Sequence, residues 1–279
     1  MKAGFSLLLW TTDVGRAHWP ILRALSQAGY DGAEIPVTGA TVEGCAELAR
    51  VMADMGLAAT ASGGVPDPKA NPMSTDPAIA AAGIDHLKRL VDRAVALGAE
   101  VLIGPFTQPL GVFSGSGPTG AEWAALVAAH QAMADHAGDA LILAVEPLNR
   151  FECYALNTTA QAARLVADVG RRNYGYLYDT FHANIEERDP VGAIAATAPA
   201  IAYVHISEND RGTPGRGHID FAATFAALKR AGYDGWLTVE AFGQALPDLA
   251  AATRIWRPLF ASEAEVYTEA RALIRRHWN

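Results

Sequence analysis

Apolar runs without polar alternation recur along this chain, and between them lie stretches in which apolar residues return every three or four positions. A run of the first kind predicts a strand buried on both faces, and a stretch of the second predicts an amphipathic helix. Residues 5–10 form the first such strand, and 19–28 have helical spacing that Gly29 stops. Strand two follows over 30–36, then an Ala- and Leu-rich helix over 42–55 closed by Gly56. Strand three covers 57–62, and Gly63-Gly64 turns the chain into a long loop holding Pro66, Pro68, Pro72 and Pro77. Asp76-Pro77 starts a helix that runs to Leu97, with proline in its first turn, and strand four covers 101–105.

The same alternation continues to the end. Residues 106–120, rich in glycine and proline, make a second long connection, and loops longer than about a dozen residues in a compact domain are usually functional. Helices are predicted over 122–137, 159–169, 190–198 and 221–231. Between them run strand five in LILAVE, strand six in YGYLYD, strand seven in IAYVHIS and strand eight in GWLTVE. Stretches 247–257 and 263–276 supply the last helices. Eight such units predict one α/β domain over 1–279, a single (β/α)8 TIM barrel. The competing doubly wound sheet usually has a glycine-rich phosphate loop after its first strand. The corresponding turn here, WTTDVGRAHW, has none, and Gly212, Gly215 and Gly217 match neither the dinucleotide fingerprint nor a P-loop.

Composition narrows the function. A length of 279 residues suits one barrel, and 51% hydrophobic with 19% charged residues suits a large packed core. The net charge of −8 would repel phosphate backbones and anionic membranes, so a small neutral substrate is expected, with no nucleic-acid or membrane partner. Cys45 and Cys153 are too few for a disulfide scaffold and show no metal spacing, so reduced thiols in a cytoplasmic protein are expected. The apolar start GFSLLLW is too short for a signal segment, and no run approaches transmembrane length.

Chemistry gathers at the strand ends. Glu146, Asp179, His205 and Glu240 lie near the carboxyl ends of strands five to eight, which meet at one mouth in a parallel barrel. Carboxylates packed together raise one another's pKa, and a divalent cation resolves the repulsion. Three oxygen donors and one nitrogen favour Mn²⁺ or Mg²⁺, with Co²⁺ as an alternative, over a structural thiolate zinc site. The plain competitor is an ion-pair network without metal. Other residues have ordinary readings beside functional ones. Arg150 could pair with Glu152, Glu186 and Glu187 look like a solvated face, and His182 taken singly is more often structural. Arg211 lies among polar turn residues and is exposed by default, unless it turns inward to bind an oxygen. Phe242 and Trp10 could wall a sugar face or sit in ordinary core, and His218 is expected to cap or pack the seventh helix.

The stretches EPLNRFECYALNT from Glu146, YDTFHANIEE from Tyr178, HISENDRGTPGRGHIDF from His205, GYDGWLTVEAF from Gly232 and RIWR from Arg254 resemble the ketose 3-epimerase family, the D-tagatose and D-psicose 3-epimerases of the xylose-isomerase-like barrels. The resemblance implies that Glu146, Asp179, His205 and Glu240 bind a catalytic Mn²⁺ or Co²⁺. It implies that Glu146 and Glu240 are also the acid/base pair, one on each face of the sugar, inverting carbon 3 through a cis-enediolate. It further implies that Glu152, His182 and Arg211 hold the oxygens of carbons 1 to 3, and that the protein forms homodimers or homotetramers. Ser6 stands where family members often have an aromatic, and 106–120 has no obvious counterpart, so the resemblance does not carry the sugar's identity. Rival readings are an aldose-ketose isomerase, a 3-keto-glycoside-processing barrel, an endonuclease IV-like nuclease, which would need more histidines and a basic face, and a sugar-binding barrel without catalysis.

Overall fold

Side chains along a strand point alternately to its two faces, and this decides what each strand offers to the interior. In the computed structural model, which describes residues 1–278, eight parallel strands close on themselves in chain order. They are β1 (Lys2–Ser6), β2 (Gly32–Pro36), β3 (Ala58–Ser62), β4 (Val101–Gly104), β5 (Ile142–Val145), β6 (Tyr174–Asp179), β7 (Ile201–Ile206) and β8 (Trp236–Val239). The helices around them are α1 (Trp19–Ala28), α2 (Val42–Asp54), α3 (Pro77–Leu97), α4 (Gly120–Ala137), α5 (Thr159–Val169), α6 (Thr180–Glu186), α7 (Pro190–Thr197), α8 (Phe221–Arg230), α9 (Pro247–Thr253) and α10 (Glu263–Trp278). This is the expected (β/α)8 barrel. Among the described residues no helix is long and apolar enough to cross a membrane.

Local chemistry sets the boundaries. Asp76 caps α3 by accepting from the amides of Ala78 and Ile79, and Thr119 with Glu122 forms a reciprocal capping box at the start of α4. Gly29 and Gly98 end α1 and α3 in the left-handed conformation. Two elements depart from the sequence reading. Strand one stops at Ser6, and Leu7–Leu9 form a 3-10 turn in which Leu7 O accepts from the amides of Trp10 and Thr11. Leu7 and Leu9 are buried all the same, so the apolar run outlasts the strand. The short helix α6, absent from the sequence reading, begins where Asp179 caps it. His218 is exposed, and Asp220 is the residue that caps α8.

The two strand faces pack separately. Leu143, Val145, Tyr176, Val204, Ile206 and Leu237 belong to the large core shared with the helices. Val101, Ile103, Ala144, Leu177, Tyr203 and Trp236 form a second, smaller core. Each fully buried Leu, Ile or Val contributes about 1.5–3 kcal/mol. The Tyr203 hydroxyl ties the interior together, 2.8 Å from Thr60 Oγ1 and 2.6 Å from Thr238 Oγ1. One step of two residues beyond Ala144, Leu177, Tyr203 and Thr238 stand Glu146, Asp179, His205 and Glu240. The alternation that packs the interior therefore aims all four groups inward at the mouth.

Candidate metal centre

One donor atom from each of Glu146, Asp179, His205 and Glu240 falls within a set whose members all lie within 4.8 Å of one another. His205 Nδ1 is 3.6 Å from Asp179 Oδ2, 3.6 Å from Glu240 Oε1 and 3.9 Å from Glu146 Oε1. These separations exceed hydrogen-bond length. Donor atoms about 2.1 Å from one octahedral ion stand roughly 3.0–4.2 Å apart, and the three separations from His205 Nδ1 fall in that range. All four residues are buried, and Asp179 Oδ2 and His205 Nδ1 have no hydrogen-bond partner. Two orphaned donor atoms facing two further carboxylates fit a divalent cation, because a buried polar group without a partner costs stability otherwise.

Asp179, Glu240 and His205 are each held by an atom that does not face the cluster. Asp179 Oδ1 accepts from the amides of Phe181 at 2.6 Å and His182 at 3.4 Å, which leaves Oδ2 free. Glu240 Oε2 accepts from Arg211 Nη1 at 3.0 Å, leaving Oε1. His205 Nε2 lies 2.9 Å from Glu34 Oε2. The Glu146 carboxylate is the least tethered: its Oε1 lies 3.7 Å from His182 Nε2.

Burial, then the charge of Glu240, pushes Glu146 well above the usual carboxylate range. Burial likewise lifts Glu240 to about 7, against the opposing pull of His205 and Arg211. Burial raises Asp179 too, but its His205 and His182 neighbours outweigh that and leave it lowered. For His205 burial acts downward, and the charges of Glu34 and Glu240 carry it well above the normal imidazole value.

A second group of side chains surrounds the cluster. Arg211 is 3% exposed, against the exposure its polar surroundings predicted. Its guanidinium lies 4.0 Å from the ring centre of Phe181 and 4.7 Å from that of Phe242, so Phe242 serves here as one side of a stack. Nη2 donates to Glu152 Oε1 at 3.1 Å. Arg211 has a left-handed backbone (φ 62°), held because its N–H donates to Glu208 O and its carbonyl accepts from Phe242 N. The Glu208 carboxylate, absent from the sequence reading, shapes this loop by accepting from the amides of Asn209, Gly215 and Ile219.

His182 Nδ1 accepts from the Asn149 amide at 3.0 Å, so its proton sits on Nε2. That nitrogen is 3.3 Å from Arg211 Nη2, and the pair offers two donors side by side beneath the mouth. Burial lowers His182 to about 4 and keeps it neutral. Arg150 does not pair with Glu152. It donates to Glu186, whose side chain is only 5% exposed, and Glu187 accepts from Thr159, so neither acid belongs to a solvated face. Trp10 packs on Phe5, 5.3 Å between ring centres, as ordinary core.

A cavity of about 170 Å³ opens onto Glu146 and Glu240, walled by Leu8, Pro36, Ile103 and Leu110 with Thr38 and Ser62 among them. A larger groove of about 670 Å³, between α1 and α10, holds none of the four clustered residues.

The xylose isomerase-like TIM barrel family matches residues 22–276. A ketose 3-epimerase of Arthrobacter globiformis is 37% identical over 99% of this chain and 96% of its own length. An L-ribulose 3-epimerase of Mesorhizobium japonicum is 38% identical over 98% of this chain and 93% of its own. Among solved structures, a D-allulose 3-epimerase from Methylomonas sp. in complex with D-allulose superposes with a TM-score of 0.92 at 32% identity, covering 99% of this chain and 97% of that one.

Proposed function

The chain belongs to the xylose isomerase-like TIM barrel family and, within it, to the ketose 3-epimerases, and we propose that it inverts carbon 3 of a free ketose of the D-tagatose, D-psicose or L-ribulose type. The observation that carries this reading is the convergence of Glu146, Asp179, His205 and Glu240 with two orphaned donor atoms among them. These four would hold a divalent cation, Mn²⁺ before Mg²⁺ or Co²⁺. Such a cation supplies stabilisation for the negative charge that grows on the sugar's oxygens when carbon 3 loses its proton.

The rest falls to the protein's own groups. One of Glu146 and Glu240 takes the carbon 3 proton to leave a cis-enediolate, and the other returns a proton to the opposite face. Burial raises both carboxyls above the usual carboxylate range, Glu240 to about 7, which suits an acid and a base that exchange roles when the reaction reverses. Arg211 and His182 offer donors to the oxygens of carbons 1 to 3, with Glu152 accepting from the hydroxyl side and Phe242 keeping the guanidinium in place. The apolar wall of the cavity keeps bulk water from the enediolate.

The proposal extends to a cytoplasmic protein, in keeping with two buried free thiols, that acts as a homodimer or homotetramer. Phe151 at 73% and Trp256 at 70% exposure are apolar surface suited to a subunit contact. The test is product analysis of the Mn²⁺-loaded protein with a panel of free ketoses, aldoses and a 3-keto-glycoside in D₂O. The carbon 3 epimer with deuterium at carbon 3 is expected. Aldose formation, or turnover of the 3-keto-glycoside alone, would overturn the reading.

A further inference from the structure

Glu34 is a carboxylate with no exposed surface in the middle of β2, and sequence reading passed over it. Its neighbours by strand register are Ser6 and Thr60. Burying such a group is costly unless it is well paired. Among the described residues its one charged partner within 4.0 Å is His205, whose Nε2 lies 2.9 Å from Oε2, and its other oxygen has no partner at all. The bond spans the barrel, from β2 to β7, across 171 positions of sequence.

An imidazole has two nitrogens, and only the one without a proton can give a lone pair to a cation. His205 Nδ1 faces Asp179, Glu240 and Glu146, and Nε2 faces Glu34. A carboxylate can only accept, so the proton must sit on Nε2 for the contact with Glu34 to be a hydrogen bond. We infer that Glu34 is a positioning residue: it fixes His205 in the tautomer and ring orientation that present Nδ1 to the divalent cation. This rests on the divalent-cation reading given above. A purely structural alternative, in which Glu34 merely braces β2 against β7, would leave the affinity of the folded variants for the cation unchanged.

The structural alternative and the positioning role separate by experiment. Protein labelled with ¹⁵N in histidine and saturated with Mg²⁺ should show, in long-range ¹H–¹⁵N spectra, His205 carrying its proton on Nε2. In E34Q, whose amide can donate as well as accept, the two tautomers should mix. Mn²⁺ calorimetry should give an affinity roughly 10- to 100-fold below wild type for E34Q, and no better for E34L, while both keep the barrel's circular dichroism. A wild-type His205 protonated on Nδ1, or variants that bind Mn²⁺ as tightly as wild type, would overturn the inference. Should E34Q fail to fold, E34L and the wild-type spectrum still decide. Wild-type protein that binds neither ion would instead remove the divalent-cation reading itself, an outcome distinct from tight binding by the variants.

Discussion

Arg211 Nη1 donates to Glu240 Oε2 at 3.0 Å, so the residue proposed to reach toward the substrate also anchors one of the two carboxylates proposed for proton transfer. The same guanidinium reaches Glu152 and lies between Phe181 and Phe242. A lysine at this position carries the charge but has neither the planar fork nor the stacking face. R211K is expected to lower kcat/KM roughly 10²-fold, the scale of losing one oriented donor, with little change in folding. Steady-state kinetics with the preferred ketose, alongside thermal unfolding, checks it.

Glu146 and Glu240 are raised by burial and by like charge, so removing either charge relieves the metal-free protein. E146Q and E240Q should each cut epimerisation by at least about 10²–10⁴-fold, the contribution of a positioned acid or base. Thermal unfolding of both metal-free variants should be no lower than wild type. Near-normal carbon 3 exchange in D₂O by both would contradict their assigned roles.

His130, outside the site, governs a pH response. It is fully buried against Tyr174 and Phe106 O, and burial lowers it to about 4. The unfolded chain takes up a proton near pH 6.5 that the folded histidine refuses. Stability is therefore lost as pH falls from about 6.5 to about 4, by up to about 3 kcal/mol. H130Q should unfold at lower temperature near pH 7.5, by about 1–3 kcal/mol of lost hydrogen bonding, and should show a shallower decline over that acid window. Denaturant melts across pH give both numbers.

Gly104 ends β4 at φ +149°, and a Cβ there would stand 1.8 Å from Gly63 O. G104A has both a strained backbone and a clash with backbone that cannot swing aside. Backbone strain alone costs about 1–3 kcal/mol, so a drop in stability beyond that range is expected by chemical denaturation.

The four clustered residues were legible because each stands at or beside the carboxyl end of a largely apolar strand, where a buried acid or histidine stands out. The barrel followed from the same alternation. Glu34 gave no comparable signal: it reads as one acid inside GAEIP, and the imidazole that explains it lies on β7. Arg211 was misjudged because its polar neighbours in sequence are not its neighbours in space, where two aromatic rings enclose it. Arg150 and Glu186 sit 36 residues apart on different elements, so spacing alone favoured the nearer Glu152. At β1 hydrophobicity could not mark the strand's end, because Leu7 and Leu9 are buried in a turn as completely as in a strand.

Anomalous X-ray scattering from crystals grown with Mn²⁺ addresses the centre of this account most directly. A single manganese peak is predicted within coordinating reach of Glu146, Asp179, His205 and Glu240 together. A peak bound elsewhere, or density that leaves these four without an ion at saturating Mn²⁺, would contradict it.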